Sequence, residues 1–244
     1  MGCGLYLYGI FPATGVHEIT LEGLDRQPVQ SHTMNEFTFL YSEAQQNKYL
    51  ASRRNLLGHE RVLEQAMECG YRTLLPLQFG LIVDDWTTVE SQLIKTQSEN
   101  LKGLFSKLEG RREVSVKIFW EADQELENLM QENEGLRTER DRLEGQSLSM
   151  DQIVKIGQAI EAEMGERKQD IIQAFQETLD PLAIEQIEND LLTDSMIYNA
   201  AYLIPWESEP EFSEQVEALD LRFEGRLRIR YNNFTAPFNF AQLV

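Results

Sequence analysis

Cysteine and histidine are scarce: Cys3 and Cys69, with His17, His32 and His59, are all that 244 residues contain. Two distant cysteines without metal-ligand spacing read as reduced thiols, not as a disulfide framework or a zinc site. His59-Glu60 falls in a helical stretch, but no second histidine follows four residues on, so zinc cannot be held there on one helix face. No apolar run approaches the roughly 18–20 residues needed to span a bilayer. The opening Met1–Phe11 has no basic n-region and no small-residue cleavage site. Tyr6 stands where N-myristoylation asks for serine or threonine. The glycine loops that cradle phosphates, the nucleophile elbow and the paired-histidine zinc helix are absent as well. These absences point to a soluble, cytosolic protein that is not an enzyme, binds no metal and needs no cofactor.

Positive charge is also in short supply. The chain has 41 acidic against 22 basic side chains, a formal charge of -19 and a pI near 4.5. Such a surface repels phosphate backbones and anionic lipid, so nucleic acid and membrane are not expected partners. It also resists self-association and can keep a less soluble partner dispersed. The excess is localised: between Glu121 and Asp194 stand 20 acidic and 6 basic residues. Elsewhere the row Arg226, Arg228 and Arg230 is read as facing outward and balancing those carboxylates.

What is present is a regular pattern of elements. Gly4–Phe11, His17–Leu21, Val29–Thr33 and Glu36–Tyr41 read as strands from their apolar or alternating runs. Leu56, Leu63 and Met67 recur at helical spacing between Lys48 and Cys69, with Gly70 placed to close the helix. Strand character returns in Tyr71–Val83. A second helix, capped by Asp84 or Asp85, carries Trp86, Val89, Leu93, Leu101, Leu104 and Leu108 and ends at Gly110. Glu113–Trp120 alternates Val114, Val116, Ile118 and Trp120 against Ser115, Lys117 and Phe119, and forms the seam between two lobes.

Beyond the seam the spacing predicts a helical arm over about 121–190. Leu126, Leu129, Leu136 and Leu143 make one stripe, interrupted by Asn133 and Arg140. After a break at Gly145, Ser149-x-x-Gln152 is a capping box for a second helix striped by Ile153, Ile156, Ile160, Met164, Ile171 and Phe175. Asp180-Pro181 reads as the start of a third. Asp194–Trp206 is apolar on both faces and suits a central strand. Ser208-x-x-Glu211 opens a helix with Phe212, Val216, Leu219 and Phe223 inward, and Gly225–Tyr231 is a last alternating strand. The expectation is an α+β fold in two lobes, 1–110 and 111–244. Each is a small sheet with helices on one face; the second is ferredoxin-like and carries the acidic helical insertion. Deleting Ala122–Thr178 is expected to leave both lobes folded.

Three segments carry a resemblance: LLPLQFG (Leu74–Gly80), AAYLIPWESEPEF (Ala200–Phe212) and RLRIRYNNFTAPFNF (Arg226–Phe240). With the order of elements from end to end, they make the chain resemble the GvpF/GvpL family of gas vesicle proteins. Gln78 stands where that family typically carries arginine, and Thr235–Phe240 where many members have a proline- and aromatic-rich segment. The resemblance implies no enzymatic activity. It implies an accessory component of the gas vesicle, within the cytoplasm, that partners the small hydrophobic shell protein (GvpA-type) and other accessory proteins and restrains shell-protein aggregation. A permanent wall or scaffold element is the alternative. Candidate partner-binding residues are the arm stripes (Leu126, Leu129, Leu136, Leu143, Ile153, Ile156 and Ile160) and the tail aromatics Phe234, Phe238 and Phe240.

Overall fold

A computed structural model describes residues 4–13, 20–143, 149–223 and 225–242, except the side chains of 139 and 143. The expected strand His17–Leu21 lies mostly outside these residues, as does the break expected at Gly145. The chain forms two compact units: one of Met1–Val114, Leu203–Glu207 and Asn233–Val244, the other of Ser115–Tyr202 and Ser208–Asn232.

The first unit is built on an antiparallel sheet. Its strands are β1 (Leu5–Pro12), β2 (Leu21–Glu22), β3 (Pro28–Met34), β4 (Phe37–Glu43), β5 (Leu75–Pro76) and β6 (Ile82–Val83). The order is β2-β3-β4-β1-β5, and β6 also pairs with β1. Asn35, left-handed at φ 55°, opens the two-residue turn between β3 and β4. Helix α1 (Arg53–Glu68) begins at Ser52, whose side chain accepts from Asn55 N–H. It ends as the glycine predicted: Gly70 (φ 106°) donates to Met67 O and Tyr71 to Ala66 O, a Schellman closure. Its buried face is His59, Val62, Leu63, Ala66 and Met67, whereas Leu56, placed inward by the sequence pattern, is exposed.

Polar aromatic groups lie within this core. Tyr6 OH meets His59 Nδ1 at 2.9 Å, and His59 Nε2 meets Leu77 O at 3.1 Å. A carbonyl can only accept, so Nε2 carries the proton and Tyr6 donates to Nδ1. Burial lowers the His59 pKa to about 4, only partly opposed by the Leu77 carbonyl, and the ring is neutral. Tyr8 OH bonds Ser42 Oγ and accepts from Leu24 N–H.

The second long helical stretch is interrupted. After α2 (Trp86–Val89), capped by the Asp85 side chain at Thr88 N–H, comes a π-helical turn, Glu90–Ile94, and then α3 (Lys95–Leu108). The wider turn rotates the apolar stripe, so Ile94 is buried and Leu93 only half-buried.

The second sheet consists of β7 (Arg111–Trp120), β8 (Glu185–Glu188), β9 (Met196–Pro205) and β10 (Leu227–Thr235) in the order β10-β7-β9-β8. The boundary between the units falls inside β7, β9 and β10, after Val114, Tyr202 and Asn232. As expected, the seam strand neighbours β9, which contains Ala200–Pro205, and β10, which begins at Leu227 instead of Gly225. The helices are α4 (Ala122–Glu132), α5 (Glu134–Leu143), α6 (Met150–Leu179) and α7 (Glu209–Arg222). The run β7–helices–β8–β9–α7–β10 is the ferredoxin-like β-α-β-β-α-β plan.

Three local expectations are corrected. The helix expected after Asp180 is absent: Asp180–Leu182 is a single 3-10 turn followed by strand β8. Pro181 has no N–H to continue a helical ladder, and the chain turns to supply the sheet's missing strand. Helix α7 opens after Ser208 as expected, without a side-chain cap, and the capping box expected of Ser149 and Gln152 forms. Asn133 does more than break a stripe: its Oδ1 accepts from Leu136 N–H and starts α5. Finally, the arm is not separable, because Ile171, Ala174, Phe175 and Leu179 of α6 are core residues.

Gly9 tests the first unit's packing. A Cβ there would stand 2.9 Å from Leu63 and Leu74 methyls and 3.0 Å from Leu75 O. Gly9→Ala is expected to cost about 1–3 kcal/mol through overpacking, read as a lower urea midpoint with unchanged slope.

Candidate functional site

Among the described residues no group of three or more His, Cys, Asp or Glu is placed to hold a metal ion, and no helix is long and apolar enough to cross a membrane. The buried His59, Glu113 and Glu125 each hold hydrogen bonds that tie elements together. The sites that remain are surfaces, and the arm, the tail and a cleft in the first unit are the candidates.

The arm is anchored by a buried carboxylate. Glu125 on α4 faces inward with a side chain only 1% exposed. Arg226, at the start of the last strand's arginine row, grips it with Nε at 2.9 Å and Nη2 at 2.7 Å; Arg167 of α6 adds a contact at 3.3 Å and Asn128 another at 3.3 Å. Arg167 also pairs with Glu132. Burial opposes ionisation of Glu125, but the Arg226 hydrogen bonds and charge, with Arg167, prevail and hold its pKa below the usual carboxylate range. Arg226 thus does not face outward; it binds the arm, as the reading of the row as a counterweight to the carboxylates anticipates.

Of the arm residues proposed as a binding stripe, Leu129 and Leu136 are buried, and Leu126, Ile156 and Ile160 are half-buried. The Leu143 side chain lies outside the described ones. The amino-terminal part of α6 differs from its core-forming end: Met150 is 74% exposed, and Ile153 and Val154 are each 49% exposed. Acidic residues, Asp151, Glu161 and Glu163, stand nearby in sequence.

The tail aromatics belong to the first unit. Phe240 is buried, with the Lys107 ammonium 5.3 Å from its ring centre. Phe234 meets Trp206 edge-on at 6.1 Å, and the Arg112 guanidinium lies over both rings, at 5.1 and 4.9 Å. Phe238 is more open. Between Phe240 and Phe238, Asn239 donates through N–H (3.0 Å) and Nδ2 (2.6 Å) to the buried Glu113 carboxylate. Burial raises the Glu113 pKa to about 7, with the Asn239 donors pulling the other way.

Phe238 also lines a cleft of about 660 Å³ whose other walls are Pro76–Leu81, Leu93, Ala241 and Gln242. Two of the recognised segments therefore meet: Leu74–Gly80 and the tail. Gln78, standing where the resembled family typically carries arginine, is exposed on its rim, and none of the described lining residues is charged.

The structure thus divides the candidate residues between the two units, the arm stripes in one and the aromatics in the other. Sequence reading missed Glu125 and Glu113, and weighed His59 only as a zinc ligand. Glu125 and His59 left a signal, since each stands at helical spacing within an apolar stripe, beside Leu129 and beside Val62, Leu63 and Ala66. Glu113 left none, because its partner is 126 residues away.

The sequence matches the family described as gas vesicle synthesis protein GvpL/GvpF over residues 4–242. It is 58% identical over 243 residues to gas vesicle protein F of Dolichospermum flosaquae, covering 100% of this chain and 99% of that one. The crystal structure of GvpF from Anabaena sp. PCC7120 is similar with a TM-score of 0.86 at 56% identity, covering 99% of this chain and 97% of that one. GvpF from Microcystis aeruginosa is similar with a TM-score of 0.85 at 56% identity, covering 99% and 100%.

Two substitutions test the buried carboxyls. Glu125→Ala strands two arginines, one of them able to reach water, and is expected to cost about 3 kcal/mol in urea denaturation. Glu113 behaves oppositely to a paired acid. Between about 4.5 and about 7 the folded state holds a proton that the unfolded state has released, so its contribution is lost as pH rises through that window. Glu113→Gln, whose amide can accept only one of the two Asn239 hydrogen bonds, should therefore be less stable than wild type at pH 4.5 and recover up to roughly 3 kcal/mol of that difference by pH 8. Equal effects at both pH values would exclude this account.

Proposed function

This chain belongs to the GvpL/GvpF family of gas vesicle synthesis proteins, and on that premise we propose that it acts in vesicle assembly, binding the hydrophobic shell protein and limiting its aggregation during nucleation. The observation that carries the reading is the apolar row Met150, Ile153 and Val154, exposed on an arm that is otherwise strongly acidic. A wall that excludes water presents an apolar face to gas, and its free subunits expose that face to each other. A partner that covers the face reduces the free, aggregating population by mass action, and its own charge keeps the complex dispersed. The role is one of binding, not catalysis. The shell protein is the partner, reached inside the cytoplasm before the wall closes.

The half-buried Ile156 and Ile160 continue the row along α6, so the contact has a stripe's length instead of a single anchor. Deleting the whole arm would remove Ile171 and Phe175 from the core, so exposed positions make the better test. Replacing Met150, Ile153 and Val154 together by serine is expected to leave the melting temperature within a few degrees of wild type. In co-expression it should lower the soluble fraction of shell protein severalfold. An unchanged soluble fraction with a folded variant would move the function elsewhere. Retention of the wild-type chain on washed vesicles, without any solubilising effect, would mark a permanent wall element instead.

A further inference from the structure

We propose that the outer edge of β10, the terminal strand of its sheet among the described residues, takes up an extended segment of a partner protein, with apolar side chains on its α7 side and carboxylates on its other side. β10 ends the sheet order β10-β7-β9-β8 and is nine residues long. Its burial alternates, with Leu227, Ile229 and Tyr231 half-buried and Arg228, Arg230 and Asn232 exposed, whereas central β9 is buried almost throughout. The two faces of this edge offer two different chemistries.

On the helix side, α7 and β10 leave a groove of about 370 Å³ with Val216, Leu221, Ile229 and Tyr231 as its apolar lining. Leu221, 72% exposed, stands at this lining with its apolar surface open. A strand added beside β10 would place alternate side chains in this groove.

On the opposite face the Arg228 guanidinium lies 4.2 Å from the centre of the Phe119 ring, and that of Arg230 lies 5.0 Å away. These cation–π contacts hold the two guanidinium groups beside the ring without supplying an anion to pair with them. Arg226, in the same row, is held by Glu125. Arg228 and Arg230 have no carboxylate of the described residues at ion-pairing distance, in a chain of charge -19. A strand whose outward residues are glutamate or aspartate would meet them as cross-strand pairs. A second copy of this chain pairing β10 to β10 would instead set arginine against arginine, which is unfavourable.

The test uses the full chain and two labelled peptides of about eight residues, the length of an ordinary strand, one alternating valine with glutamate and one alternating valine with lysine. Fluorescence anisotropy at low salt should show binding of the glutamate peptide and not of the lysine peptide. The double variant Arg228→Glu, Arg230→Glu should weaken it about tenfold, through loss of two pairs and their reversal. Leu221→Lys, on the groove side, should weaken it independently; both changes are at exposed positions, and circular dichroism confirms that the variants fold. The proposal fails if neither peptide binds, which is what arginines serving only to guard an edge would give. It also fails if the lysine peptide binds equally well or the arginine variant binds as tightly as wild type. Sedimentation of the chain alone completes the test: self-association abolished by the arginine variant would replace a partner strand by a second copy.

Discussion

Burial of β9 on both faces is the constraint from which the second unit follows. Met196–Ile204 is inaccessible residue after residue, with Tyr198 and Tyr202 bonded to each other at 2.9 Å inside. A strand of this kind cannot stand at an edge, because its backbone groups need partners on both sides and its side chains need cover above and below. The chain supplies β7 on one side and the short β8 on the other. Tyr202 packs on Phe212 of α7, and Phe212 in turn stacks on Tyr231 of β10. The carboxyl-terminal part of α6 adds Phe175, stacked on Phe223. The helical insertion is therefore two things at once: its inner end is the first helix of a ferredoxin-like unit, and its outer end is an acidic projection.

Charge is handled differently at the two ends of that insertion. At the base the buried Glu125 meets Arg226 and Arg167, the latter shared with Glu132, which ties α4 to α6 and to the start of β10. Further out, the described carboxylates are exposed and mostly unpaired with bases, so they act on solubility rather than on shape. The apolar row at Met150, Ile153 and Val154 interrupts this acidic surface. A purely solubilising rod would have no use for it, and this contrast gives the binding reading its weight.

The first unit relies on neutral polar groups in its core. Tyr6, His59, Leu77 and Gly80 form one hydrogen-bonded set, which ties β1 and α1 to the Leu74–Gly80 segment. Glu113 and Asn239 do the same for the tail. Each bond satisfies a group whose burial alone would be costly, and together they hold the backbone that lines the uncharged cleft beside Phe238.

Much of this was legible in the residues themselves. Asp85, Gly70, and the pair Ser149 and Gln152 mark helix ends correctly because caps are made within a few residues of chain. Phe212, Val216, Leu219 and Phe223 are inward, and β7 is a strand beside β9 and β10, because periodicity records which face is dry. Other features depend on partners far along the chain and leave little local trace. Four residues from Glu185 to Glu188 are too short to show a period, and only the open side of β9 makes them a strand. The π-helical turn at Glu90–Ile94 changes which leucine or isoleucine points inward, against an unbroken helical spacing. Whether an arginine in the row 226, 228 and 230 meets a buried glutamate or a phenylalanine ring was decided by what packed beside it. Local hydrogen bonds and hydrophobic period could be read from sequence alone; long-range pairing, which has no period, was decided only when the chain had folded.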